Sequence, residues 1–117
     1  HLVSDMKKLF LAFSMLTINC ISAQVSGNAT YYHDKFEGRK TKSGERFSQA
    51  KMTCASTNYK MGTLLKITNP KNGNSVECKV NDTGPLSPNH IDLSKAAFRE
   101  IGKISQGVIK IIIEKII

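Results

Sequence analysis

Thr63-Leu64-Leu65-Lys66-Ile67-Thr68-Asn69-Pro70-Lys71-Asn72-Gly73-Asn74-Ser75-Val76-Glu77-Cys78-Lys79-Val80 decides the fold class. Leu64 to Thr68 is β-friendly, and Asn72-Gly73 supplies the positive φ angles that a chain reversal needs. Beyond the turn, Val76, Cys78 and Val80 alternate with Glu77, Lys79 and Asn81. A period of two gives a strand one buried and one wet face, so the segment is a β-hairpin laid on a core.

The rest of the chain extends this pattern. Asn81 to Pro88 is rich in turn formers, and Asp92 or Ser94 can cap a short helix over Lys95–Ile101 that Gly102 stops. Gly107 to Ile117 is β-branched, with Ile109, Ile111 and Ile113 on one face and Lys110 and Glu114 on the other, and reads as a strand. Val25 to Tyr32 reads as a first strand. Asp34 to Gln49 is polar and Gly-bearing, which makes it a long surface loop of the kind that carries function. Short strands with one short helix indicate an all-β domain, a small barrel.

The 117 residues suffice for one domain, and 40% hydrophobic content can supply its core. Met6-Lys7-Lys8, the apolar run Leu9 to Ile21 and the small pair Ser22-Ala23 read as an export signal cleaved after Ala23, with His1 to Asp5 upstream of the initiator. The expected organisation is therefore 1–23 as upstream residues plus signal, and 24–117 as the domain. Removing Lys7, Lys8 and Asp5 takes 17 basic and 9 acidic side chains to 15 and 8, a charge of +7. That balance suits a polyanionic partner without choosing one. An exported chain without an interleaved aromatic-basic motif argues against nucleic acid.

Cys54 and Cys78 form an even pair in a chain bound for an oxidising compartment, either as a disulfide or as two buried thiols. A bridge would close a loop of about 25 residues and stabilise by about 3.5 kcal/mol on the chain-entropy estimate. Cys20 offers a lipid attachment point, and membrane association is expected only if it carries lipid. The Cys and His residues lack metal-ligand spacing, so neither metal nor cofactor is expected.

Four segments in order resemble the rare lipoprotein A family of septal-ring lytic transglycosylases: Ala29-Thr30-Tyr31-Tyr32; Phe36-Glu37-Gly38-Arg39-Lys40-Thr41-Lys42-Ser43-Gly44-Glu45-Arg46-Phe47; Met61-Gly62-Thr63 through Asn72-Gly73; and Val80-Asn81-Asp82-Thr83-Gly84-Pro85 with Ile91-Asp92-Leu93-Ser94. The resemblance implies a six-stranded double-psi β-barrel with one or two short helices, related to expansins, exported to the periplasm or cell exterior and acting as a monomer on peptidoglycan glycan strands. It places the catalytic carboxyl on Asp82 and a second acidic position on Glu45.

Ordinary glycosidases need two carboxyl groups. Lytic cleavage can use one, because the 6-hydroxyl of N-acetylmuramic acid replaces water as nucleophile and the carboxyl turns from acid to base. Asp82 also has a plain role as a turn former, Glu45 as a loop charge, and Asp92 as a cap as well as a groove residue. Tyr31 and Tyr32 point to opposite sides, so one ring can meet a sugar while the other packs inward. Where active members of the family carry His, this chain has Ser56, which cannot titrate near neutrality; His33 and His90 are the imidazoles left to substitute. Thr83 stands where an Arg is usual. Two functions stay open: a lytic transglycosylase, and a non-catalytic expansin-like module that grips or loosens the wall.

Overall fold

The computed structural model describes residues 23–117. Apart from Ala23, the export signal expected over residues 6–23 lies outside the described residues, as does Cys20. Six strands form the domain: β1 (Gln24–Tyr31), β2 (Thr53–Ala55), β3 (Leu64–Thr68), β4 (Ser75–Asp82), β5 (His90–Leu93) and β6 (Ile109–Lys115). One helix, α1 (Lys95–Ile101), and single 3-10 turns at Asp34–Phe36 and Ile104–Gln106 complete it. The strands close in the order β1-β5-β2-β4-β3-β6, with β1–β5 and β2–β4 parallel and the other neighbours antiparallel. This is the expected closed six-stranded barrel with one helix.

The hairpin forms as its pattern dictates. Leu65 pairs with Cys78 and Ile67 with Val76, all turned inward, while Asn69 to Asn74 make the reversal and Gly73 takes φ 75°. From the other strands Ala29, Cys54, Ile91, Leu93, Ile109, Ile111 and Ile113 fill the same interior. Phe98 and Ile101 of α1 close it from outside the sheet. Ser94, not Asp92, caps the helix: its Oγ accepts from the Ala97 amide at 3.2 Å, and the Gly102 amide donates to the Phe98 carbonyl at 3.0 Å.

Two features depart from simple alternation. Asn81, expected on the wet face, is only 3% exposed, because the turn Thr41–Glu45 lies over it and the Ser43 amide donates to its carbonyl at 3.1 Å. Between Cys54 and Ala55 the β2–β4 register also slips: Cys54 pairs with Val80, but Ala55 pairs with Asp82. One residue of β4 is left over, and it is Asn81.

Gly27 has a specific steric duty. A Cβ there would sit 2.0 Å from the Asn89 carbonyl oxygen, so only glycine lets β1 pass beneath the entry to β5.

Cys54 and Cys78 are joined in a disulfide, with Cα atoms 5.9 Å apart, and it links β2 to β4 inside the barrel. Replacing both by alanine is expected to lower the unfolding free energy by about 3.5 kcal/mol, measured by denaturant titration of the double variant. Unchanged stability would contradict a bridge that constrains the unfolded chain.

Candidate active site

The site starts from the slipped register. Asp82 shares the parity of Val76, Cys78 and Val80, so regular alternation would aim it into the core. The extra residue reverses that, and bulges beside functional sites commonly re-aim a side chain this way. Ala55 pairs with Asp82 on one side and with Asp92 on the other, and Asp92 pairs with Thr30. A single row, Thr30–Asp92–Ala55–Asp82, thus crosses four strands on the outer face. At about 4.8 Å per strand, the two aspartate Cα atoms stand roughly 9–10 Å apart, and Ala55 between them is buried in a cluster with Tyr32 and Phe47.

The Asp82 carboxylate accepts three hydrogen bonds. Tyr32 Oη donates to Oδ2 at 2.7 Å, while the Lys42 and Thr83 amides donate to Oδ1 at 2.9 and 3.0 Å. The turn-forming bond to Thr83 and a placement beside a cleft are therefore both present. The cleft, about 220 Å³, is lined by Tyr32, Phe36, Arg39, Lys40, Thr41, Phe47 and Asp82.

The polar loop after β1 is anchored by aromatic residues. Phe47 is 2% exposed and stacks on Tyr32 with ring centroids 4.2 Å apart, and Phe36 meets Tyr32 edge-on at 5.9 Å. The Lys40–Arg46 bridge closes the loop on itself, and the Ser43 and Lys42 amides and the Glu45–Lys79 pair hold it against β4. Lys35 and Arg39 each carry a cation 5.3 Å from the centre of the Phe36 ring. Aromatic surface, cations and a carboxylate thus meet in one depression.

The four remaining residues expected at the site fall in different places. Tyr31 turns to the helix side, edge-on to Phe98 at 4.9 Å, with its hydroxyl on the Ile104 carbonyl; it does not join Asp82. Tyr32 does join it, through its hydroxyl rather than an open ring face. Ser56 is fully buried; its Oγ donates to Asn58 Oδ1 at 3.1 Å and accepts from the Asn58 amide at 3.2 Å, while its own amide donates to the Asp82 carbonyl. Glu45 stands on the outer side of β4, paired with Lys79 at 2.9 Å.

The electrostatics separate the acids. Lys79, through its hydrogen bond and charge, holds the Glu45 carboxyl below the usual range, which suits a loop anchor. Burial pushes Asp92 up, with the nearby Asp82 charge adding to it and the Thr30 hydrogen bond and His90 opposing it. Burial and the two aspartates also push the Tyr32 phenol well above its ordinary value, so it remains a neutral donor. The desolvated carboxyl is therefore Asp92, across β2 from Asp82.

Sequence reading missed Phe36, Phe47, Thr30 and the Lys42 amide. Two large apolar residues inside an otherwise polar loop were the available signal for the first pair. Thr30 stands two residues before Tyr32 and so shares its face.

These features define a double-psi barrel with an acidic row beside an aromatic, cation-rimmed cleft. The model of the lytic transglycolase family matches residues 24–113, and the chain belongs to that family. It is 42% identical over 93 residues to the endolytic peptidoglycan transglycosylase RlpA of Neisseria meningitidis serogroup A, covering 79% of this chain and 39% of that protein. It is 46% identical over 86 residues to the probable endolytic peptidoglycan transglycosylase RlpA of Aquifex aeolicus, covering 73% and 38%. The chain thus spans about two-fifths of these relatives' length. Among solved structures, the Clavibacter michiganensis expansin superposes with a TM-score of 0.66 at 27% identity, covering 81% of this chain and 51% of that one.

The Asp92 environment has a measurable consequence. The unfolded chain releases this proton at lower pH than the folded one, so the folded state loses stability as pH rises from the ordinary aspartate range through the raised folded value, then levels off. Asp92→Asn keeps an acceptor for Thr30 and is expected to remove that slope and to exceed the parent in stability at neutral pH. Thermal unfolding of both proteins from pH 3 to 7 checks this; parallel curves would contradict it.

Proposed function

We propose that this domain cleaves peptidoglycan glycan strands by lytic transglycosylation in the cell envelope, with Asp82 as the acid/base. The observation that carries the reading is the Asp82 carboxyl, turned out of the core to the edge of an open cleft and hydrogen-bonded to a neutral tyrosine. Family membership supplies the chemical class.

In the reaction, protonated Asp82 gives its proton to the glycosidic oxygen as the bond from muramic C1 breaks. The 6-hydroxyl of the same sugar attacks C1, and its proton returns to Asp82. One bond forms, one breaks, and the carboxyl ends as it began, with no water consumed. Tyr32 suits this cycle because its hydroxyl donates to Oδ2 when the carboxyl is ionised and accepts from it when the carboxyl is protonated. Arg39 and Lys40, beside the cleft, complement the carboxylates of the stem peptide carried by the muramoyl unit.

The disulfide supports export, since such bonds persist in oxidising compartments. No helix among the described residues is long and apolar enough to cross a membrane. Glu45, held by Lys79, acts here as a fastener of the loop rather than as a proton donor.

A binding-only reading is favoured by one observation: the expansin likeness, which extends to an expansin variant solved with cellohexaose at TM-score 0.66 and 26% identity.

Incubation with purified sacculi and mass spectrometry of the soluble products decide between the two. Release of 1,6-anhydro-muropeptides is expected, and Asp82→Asn is expected to reduce it by about 10²–10⁴-fold, the range for loss of a general acid–base group. A folded protein that sediments with sacculi yet releases nothing would overturn cleavage and leave the binding module.

A further inference from the structure

The groove holds an imidazole that none of these roles uses. His90 opens β5, two residues before Asp92, so both side chains leave the strand on the same face. Its Nε2 lies 2.7 Å from Thr30 Oγ1, and that hydroxyl lies 3.1 Å from Asp92 Oδ1. The positions are fixed by backbone pairing: Thr30 stands opposite Asp92 in the parallel β1–β5 ladder, and Asn28 opposite His90. The close approach at Gly27 brings the turn before His90 down onto β1, where the Asn28 amide donates to the Asn89 carbonyl at 3.0 Å.

The order of donors in this chain is constrained. A threonine hydroxyl has one hydrogen. When it donates to an ionised Asp92, its lone pair must accept from His90 Nε2–H. When Asp92 is protonated, every bond reverses: Asp92 donates to Thr30, and Thr30 donates to an unprotonated Nε2. Passage between the two states moves one proton from imidazolium to carboxylate. Thr30 gains one hydrogen and gives one up.

We propose that His90 is a positioning residue that acts on Asp92 through Thr30 and holds it in its ionised form, so that Asp92 meets the bound glycan as an acceptor while Asp82 cycles its own proton. The inference rests on the glycan-cleaving reading of the groove. The physical need for it is plain. Two carboxylates on one row repel each other, and Asp92 is half-buried. Half-exposed His90 joins that carboxyl to solvent. The titratable groups facing Asp92 are His90 on its own strand, Asp82 from β4 and Tyr32 just after β1; β2 contributes Ala55.

The test is a ¹³C carboxyl titration of Asp92 by NMR in the parent, His90→Gln, Thr30→Val, Thr30→Ser and the His90→Gln/Thr30→Val pair. Removing the imidazole or the hydroxyl is expected to shift the Asp92 midpoint upward, and Thr30→Ser, which keeps the hydroxyl, to restore it. The two shifts are expected to be non-additive, because His90 acts through Thr30. Additive shifts, or a midpoint that ignores His90→Gln, would overturn the proposal. The titration needs no activity, so it stands even if sacculi are not cleaved. Where they are cleaved, the pH dependence of product release is expected to move with the Asp92 midpoint in His90→Gln. Cleavage whose pH dependence does not move would also overturn it.

Discussion

One extra residue in the β2–β4 ladder governs the rest of this structure. Val76, Cys78 and Val80 point into the barrel, and Asp82 has their parity. A carboxylate continued into that core would have to be desolvated among aliphatic side chains, at a cost of several kcal/mol. The slip that leaves Asn81 unpaired turns Asp82 outward, opposite Ala55 and in line with Asp92. It also sets the place of the loop, because the Ser43 amide reaches the Asn81 carbonyl and the Lys42 amide reaches Asp82 itself. The disulfide ties Cys54, the last residue before the slip, to β4, so the irregularity is clamped at its inner edge.

With that geometry set, the charges divide by neighbour rather than by residue type. Glu45 has an exposed lysine partner and behaves as a surface ion pair, which contributes little to stability. Asp82 has a phenol and two amides. Asp92 has a threonine, an imidazole and little water. The lysine beside Glu45 lowers its proton affinity and burial raises that of Asp92, which is how a small barrel can separate an anchoring acid from a desolvated one.

Much of the architecture was legible because it rests on period and punctuation. Val76, Cys78 and Val80 announced a buried face, Asn72-Gly73 a reversal, and Lys95–Ile101 a short helix with Gly102 as its stop; each stands where the pattern put it. The candidate site was less legible for a physical reason. A bulge breaks the very alternation by which side chains are assigned to faces, so Asn81 was placed in water and the outward turn of Asp82 had no local signal. Phe36 and Phe47 looked like exceptions in a polar loop, yet they are what holds it to Tyr32. Ser94 and Asp92 were equal candidates for the helix cap by residue type, and only the strand register separates them. His90 was visible as a residue but not as a partner, since its link to Asp92 runs through Thr30, sixty positions away in the chain.

The central proposal is that glycan binds beside Asp82 and Asp92, against the cleft walled by Phe36 and Phe47. Amide chemical-shift mapping of ¹⁵N-labelled protein titrated with soluble peptidoglycan glycan fragments tests it most directly. The account predicts that the perturbed amides cluster at Thr30, Lys42, Ala55, Asp82, Thr83 and Asp92. Perturbations gathered instead on the outer faces of β3 and β6, with these amides silent, would contradict it.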